Sequence, residues 1–377
     1  MQTSVKNNFI NRWWKVIDQQ TIIAMIILLA FSLMLVTTAS PAVANRIGLT
    51  DNYFSSRHVV FLALAVIIIL TFSLLDKKWI RRLAIFGFLG SLLMLVLVKF
   101  YGFEVKGATR WINIGGFSYQ PSEFMKPFFA VVTGWILSLH YYEEFPSFKV
   151  CFILFVSVAA LLIIQPDFGM LVMVSAVFGI QLFVAGLPII WLFIAIFASV
   201  FGSIGAYLLL PHVASRINRF LDPVNSENYQ VTRSLEAFES GGLYGKGPGE
   251  GSVKQFLPDS HTDFIFAVAG EEFGAIICLM IIITFAYIVI RILINLLHED
   301  DKFIQIAAIG IISQFGLQAV INMGVSLNLL PTKGMTLPFI SYGGSSTLAI
   351  SIGMGMLLGL TKRKASLVKY RLQNVEI

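Results

Sequence analysis

Ten apolar runs, each about as long as a membrane-spanning helix, dominate the 377-residue chain. They cover roughly 18–40, 56–75, 82–101, 121–140, 148–165, 168–186, 188–210, 263–293, 303–326 and 339–361. A helix needs about 20 predominantly apolar residues to cross the hydrocarbon core of a bilayer. The runs are continuous and do not alternate with period two, so they specify helices and not the strands of a barrel. Composition agrees: 57% of the residues are hydrophobic and 13% are charged, against about 25% charged in a soluble domain. A soluble enzyme, a disordered chain and a small disulfide scaffold are excluded. Cys151 and Cys278 both fall in apolar runs and read as small buried hydrophobes. The expectation is an all-α polytopic integral membrane protein of about ten transmembrane helices, forming one membrane domain over 1–377.

Lys and Arg set the orientation. Lys6, Arg12 and Lys15 precede the first run, and Lys77, Lys78, Arg81 and Arg82 follow the second. Lys362, Arg363, Lys364, Lys369 and Arg371 follow the last. An even number of spans puts these clusters on one side, and the positive-inside rule makes that side cytoplasmic. The tails 1–17 and 362–377 are then cytoplasmic. These short clusters account for the net charge of +6, and no nucleic-acid partner is expected. Ala42-Val43-Ala44 mimics a signal-peptidase site, but the apolar run before it is too long for a signal peptide and reads as an uncleaved anchor.

Two connections face the other side: 102–120, and 211–262 between the seventh and eighth runs. A loop as long as the second, inside a compact bundle, is commonly functional. Its Tyr229–Ser240 stretch suits a short interfacial helix. The glycines from Gly241 to Gly251 would let it close over a ligand as hinges.

Three clusters carry chemistry. In the first, Leu257-Pro258-Asp259-Ser260-His261-Thr262-Asp263-Phe264 enters the eighth run. Ser260 and Asp263 have the spacing of a capping box. A carboxylate at the membrane–water boundary also suits proton removal from a sugar hydroxyl, and both roles stay open. Glu271 and Glu272 would lie roughly 12–14 Å deeper along a straight helix. At that depth they need a partner or a polar cavity. The second cluster runs from Lys106 through Arg110 to Gln120-Pro121-Ser122-Glu123-Phe124-Met125-Lys126. Pro121 suits a first helical turn, and Glu123 can pair with Lys126 three residues on. Lys106 and Arg110 oppose the positive-inside bias and suit either lipid headgroups or an anionic ligand such as a pyrophosphate. The third cluster spans 322–346, where Pro331 and Pro338 break the helical pattern around Lys333. Such backbone survives at membrane depth only when buried in protein or lining a cavity. Asp167, after Gln165-Pro166, suits a helix cap. Gly245-Lys246-Gly247-Pro248-Gly249 lacks the spacing of a phosphate-binding loop.

At these clusters the chain resembles the SEDS family (shape, elongation, division and sporulation proteins). These are ten-span bacterial inner-membrane glycosyltransferases that polymerise peptidoglycan from lipid II. The resemblance rests on KGATRWINIG at 106–115, QPSEFMK at 120–126, LPDSHTDFIFAVAGEEFG at 257–274 and NMGVSLNLLPTKGMTLPFISYGGSS at 322–346. The last of these, with AFESGGLYGKGPGEG, is most similar to the division member, ahead of the elongation member.

The resemblance implies that Asp263 is the catalytic base. It makes Arg110, Lys333, Lys106, Glu123, Lys126, His261 and Ser345 candidate substrate contacts. Glu271, Glu272, Asp167, Pro331 and Pro338 become candidate structural or cavity residues. It implies lipid II and the growing glycan strand as substrates. The implied partners are a class B penicillin-binding protein, the division transpeptidase, and other divisome membrane proteins at the septum. The leaving group, undecaprenyl pyrophosphate, needs charge stabilisation from Arg, Lys or a divalent cation, Mg2+ or Mn2+. The competing readings are a lipid II flippase and a scaffold that recruits the transpeptidase.

Overall fold

The computed structural model describes residues 9–105, 108–209, 214–215, 218, 229–332 and 334–362. Lys106 and Lys333 lie outside the described residues.

Every one of the ten apolar runs is a helix. A short helix α1 (Phe9–Val16) precedes α2 (Gln19–Arg46), α3 (Tyr53–Leu74), α4 (Lys77–Tyr101) and α5 (Pro121–Leu139). There follow α6 (Ser147–Ile164), α7 (Phe168–Val184) and α8 (Ile189–Leu209). After the long connection come α9 (Tyr229–Gly241), a 3-10 turn at Val253–Gln255, α10 (Ile265–Leu296), α11 (Lys302–Ser326) and α12 (Gly344–Leu360). By length and composition alone, α2, α3, α4, α6, α10 and α11 suffice to cross a membrane. The helix α9 falls on the stretch expected to be a short helix.

The spans are apolar all round, as a helix between protein and lipid must be. On α4, Ile80, Ala84, Phe88, Ser91, Leu95 and Val98 form a buried stripe at helical spacing. Phe86, Leu93 and Phe100, equally apolar, point outward. The helix α5 is buried almost throughout, packed by α4, α11 and α12. Its Gly134 meets α11 so closely that a Cβ there would lie 2.6 Å from Ala307 Cα. In α7, Gln181 is fully buried and donates to Ala130 O at 2.7 Å and Ile306 O at 3.2 Å. Small residues and polar knots of this kind bind helices where no hydrophobic driving force separates protein from lipid.

The 102–120 connection carries structure the apolar pattern does not foresee. Strands β1 (Phe103–Val105), β2 (Ala108–Ile114) and β3 (Phe117–Tyr119) form an antiparallel sheet in that order. Ile114 faces Phe117 across a two-residue loop, Gly115-Gly116, with φ of 58° and 85°. Two successive positive φ values match the twist of a hairpin and favour glycine.

Two helices depart from the straight spans expected. The helix α12 starts at Gly344, not at 339, because Phe339 is left-handed (φ 62°) and Gly343 is extended. The helix α10 is broken at Gly274, where φ is 78° and ψ 179°. In an unbroken helix the N–H groups of Ala275 and Ile276 would donate to the carbonyls of Glu271 and Glu272. Instead they donate to Gly242 O at 3.0 Å and Leu243 O at 3.4 Å. The two vacated carbonyls accept from Lys246 N and Gly247 N, both at 3.0 Å. The long connection is thus threaded into the break and exchanges backbone partners with it, so these two N–H groups and two carbonyls all stay paired. Gly241, Gly245 and Gly251 are therefore close-approach positions and not hinges. A Cβ on Gly245 would lie 2.2 Å from Glu272 O, and one on Gly241 2.0 Å from Gly270 O.

At the opposite end of α10, Arg291 grips Asp18 at the start of α2 through two nitrogens at 2.7–3.0 Å.

Candidate active site

The turn into α10 is built around Asp259. This residue is left-handed, with φ 54°, and its carbonyl accepts from the N–H groups of Thr262, Asp263 and Phe264 at 3.0, 3.0 and 3.3 Å. The helix starts only at Ile265, and its N-cap, Phe264, makes no side-chain cap. The capping box expected of Ser260 and Asp263 is therefore not formed. Buried Ser260 Oγ has no hydrogen-bond partner among the described residues.

Asp263 sits half-buried at the end of this turn. Its carbonyl accepts from the side-chain amide of Asn322 at 2.8 Å. Its carboxylate faces the irregular segment 334–343: a Cβ built on Gly334 would lie 2.9 Å from Oδ2. Three more bonds hold the two segments together. Tyr342 N donates to His261 O at 2.9 Å, Ser341 Oγ to Thr262 O at 2.5 Å, and the Asn322 amide to Met335 O at 2.6 Å. Pro338 is buried in the turn of this segment, whereas Pro331 is exposed.

His261 is buried, its ring 4.4 Å from that of Phe54 and 5.3 Å from that of Tyr342. Burial pushes its pKa down to about 4; Asp259 works against the shift and Arg46 with it. It is therefore neutral at neutral pH and offers an anion no charge.

A buried polar chain leads from α5 to the same irregular segment. Lys126 pairs with Glu123 at 3.0 Å, as the spacing of three predicts, and donates to Gln318 Oε1 on α11 at 2.8 Å. Gln318 Nε2 donates to Thr336 O at 3.0 Å, and Thr336 Oγ1 to Ser346 Oγ at 2.7 Å. Beside this chain lie two cavities that share Gln314 as a wall, of about 20 and 10 Å³. The larger holds about one water. Neither admits a sugar.

Other candidates lie elsewhere. Arg110, on β2, donates to Gln165 O and Pro166 O and pairs with Asp167 at 3.6 Å. Asp167 also caps α7, accepting from Met170 N at 3.3 Å, as its place in the sequence suggests. The guanidinium thus clamps the hairpin to the α6–α7 junction. Ser345 Oγ donates to Ser118 O at 2.8 Å and fixes β3 to the start of α12. Glu271 and Glu272 turn away from Asp263 toward the threaded loop, where Lys254 meets them.

Asn322, Gln318 and Lys254 were not singled out from the sequence. For the first two the available signal was an amide inside an apolar run, which is costly without a partner. Among the described residues no group of three or more His, Cys, Asp or Glu side chains could hold a metal ion.

Fold and site together define a multi-pass helical membrane protein with a half-buried carboxylate at one end of its bundle. It is held between a left-handed turn and a proline-bounded irregular segment. Residues 19–366 match the FtsW–RodA–SpoVE family, described as cell cycle protein, and the chain belongs to that family. It is 41% identical over 354 residues to a probable peptidoglycan glycosyltransferase FtsW of Caulobacter vibrioides, covering 93% of this chain and 91% of that protein. A solved structure described as a peptidoglycan synthase complex that coordinates polymerization and crosslinking superposes with a TM-score of 0.77 at 25% identity. It covers 92% of this chain and 97% of its own. The rod shape determining protein RodA of Thermus thermophilus superposes with a TM-score of 0.70 at 25% identity over the same shares.

Proposed function

We propose that this chain polymerises lipid II into β-1,4 glycan strands at the outer face of the bacterial inner membrane, during septal wall synthesis. The observation that carries the reading is Asp263: half-buried, fixed through its backbone by Asn322, with its carboxylate facing Gly334. The kinship with proteins named peptidoglycan glycosyltransferase supports it.

The 4-hydroxyl of the GlcNAc of one lipid II attacks the anomeric carbon of MurNAc at the reducing end of the growing strand. The bond from that carbon to the pyrophosphate oxygen breaks, and the configuration inverts. Asp263 takes the hydroxyl proton as the new bond forms, which is worth about 10²–10⁴ in rate. Undecaprenyl pyrophosphate leaves as an anion and needs positive charge more than a proton. Lys333, adjacent in sequence to Gly334, is a candidate cation for it. Lys106, between β1 and β2 in the sequence, is a candidate for the second headgroup. Arg110 contributes by holding the hairpin, since its guanidinium is engaged by Asp167 and two carbonyls. The whole chain acts as one membrane domain with both tails in the cytoplasm. It works with a class B penicillin-binding protein and other divisome membrane proteins.

The test is glycan strand formation from fluorescent lipid II by the full chain with that partner. Wild type should make strands, and Asp263→Ala and Asp263→Asn, folded and partner-bound, should make none. Equal strands from all three would remove Asp263 from the chemistry. Movement of lipid II across vesicles without strand formation would favour a flippase.

A further inference from the structure

We infer that Lys254 is a positioning residue for Asp263, acting through a clasp with Glu271 and Glu272; this rests on Asp263 being the base as proposed above.

The clasp is doubly made. Glu271 accepts the backbone N–H groups of Val253 and Lys254 at 2.7 and 2.8 Å, capping the 3-10 turn. Glu272 takes the Lys254 ammonium as its ion partner. Successive glutamates therefore hold the main chain and the side chain of one residue. The ammonium also donates to Gly249 O at 3.2 Å and to Thr38 O on α2 at 2.9 Å. A lysine has three N–H donors, and all three are used, on three different segments. Lys254, Glu271 and Glu272 are 4%, 0% and 1% exposed.

Burial of this kind is a poor way to gain stability, because desolvation offsets the attraction. What it supplies is one geometry, and the place of the clasp in the chain shows which. Asp263 lies nine residues after Lys254 and nine before Glu272. The segment 254–272 is thus a closed loop, fastened at its base by the clasp, with Asp263 midway round it. The outgoing arm passes through fully buried Leu257 and left-handed Asp259. The returning arm is the first part of α10, which ends at the Gly274 break just past the glutamates. The clasp fixes the base of the loop, while bonds from Asn322, Ser341 and Tyr342 fix its tip and Arg46 holds Leu257 O on the outgoing arm at 2.9 Å. Reaction requires the base within hydrogen-bond reach of the hydroxyl, and small misplacements from remote changes cost rate steeply.

The experiment compares Lys254→Met, Lys254→Met/Glu272→Gln and Asp263→Asn in the full chain with its transpeptidase partner. The readouts are kcat and KM for lipid II and the thermal midpoint. Lys254→Met should lower kcat by about 10–100-fold, with KM little changed. The double variant removes the charge left unpaired and should recover the thermal midpoint while kcat stays low; it carries the test if the single variant does not accumulate. Recovery of kcat together with the midpoint would reduce the clasp to a folding element and overturn the inference. So would a loss confined to KM, or wild-type kcat in either variant. Full activity of Asp263→Asn would sink the base assignment, whatever Lys254 does. An inactive Asp263→Asn beside a fully active double variant would sink the clasp alone.

Discussion

Asn322 donates its side-chain amide at once to Asp263 O, at 2.8 Å, and to Met335 O, at 2.6 Å. One buried amide on α11 therefore sets the spacing between the carboxylate turn and the irregular segment facing it. Losing it leaves two carbonyls without their donor, at a cost of about 1–3 kcal/mol each if they stay dry. Asn322→Ala should lower the thermal midpoint and strand formation together. Asn322→Asp, isosteric but presenting oxygen to both carbonyls at neutral pH, should be the more damaging. Polymerisation and melting curves for both variants, side by side, check the order.

The threaded loop predicts a contrast between glycines that look alike in sequence. Gly245 and Gly249 both have positive φ, 78° and 86°. A Cβ on Gly249 meets open space, whereas one on Gly245 runs into the Glu272 backbone. Gly249→Ala should cost about 1–2 kcal/mol, the ordinary penalty of a left-handed residue. Gly245→Ala should cost clearly more and disturb the Gly274 break. Thermal midpoints of the two variants decide it. Equal small losses would restore the hinge reading of these glycines.

The helices were legible because each span is a continuous apolar run, and membrane burial enforces that pattern along the whole element. The hairpin was missed although Ile114-Gly115-Gly116-Phe117 carries a hairpin turn signal. Its strands are too short to show a period. Asp263 and the Glu123–Lys126 pair were legible as charges in or beside apolar runs, which demand a reason. The break at Gly274 was not, since one glycine in a helical run reads as a packing residue; its cause is a loop that starts some thirty residues upstream. Arg110 was read with its charge alone in view, and only the fold shows that Asp167 and the carbonyls at 165 and 166 claim it.

That clamp yields its own prediction. Arg110 reaches two carbonyls and a carboxylate from one planar fork, a geometry lysine cannot copy. Arg110→Lys should therefore lose much of what Arg110→Ala loses, in thermal midpoint and in strand formation. Asp167→Asn retains an oxygen to cap α7 and should be milder than Asp167→Ala. If Arg110→Lys instead matched wild type, the residue would be serving as a positive charge, and direct contact with pyrophosphate would regain weight.

His261 ties stability to pH. Its folded pKa of about 4 lies below the ordinary 6.5, because burial between Phe54 and Tyr342 disfavours the imidazolium. Between those values the unfolded chain binds more protons than the folded one, so stability rises with pH through that window. The contribution is fully present above about pH 6.5 and is lost as pH falls toward 4. At 1.36 kcal/mol per unit, its full size is on the order of 3 kcal/mol. His261→Phe keeps a ring against Phe54 and Tyr342 but has nothing to protonate. Its thermal midpoint should fall less between pH 7.5 and pH 5 than that of wild type. Parallel slopes for the two proteins would show that the imidazole does not titrate in this window.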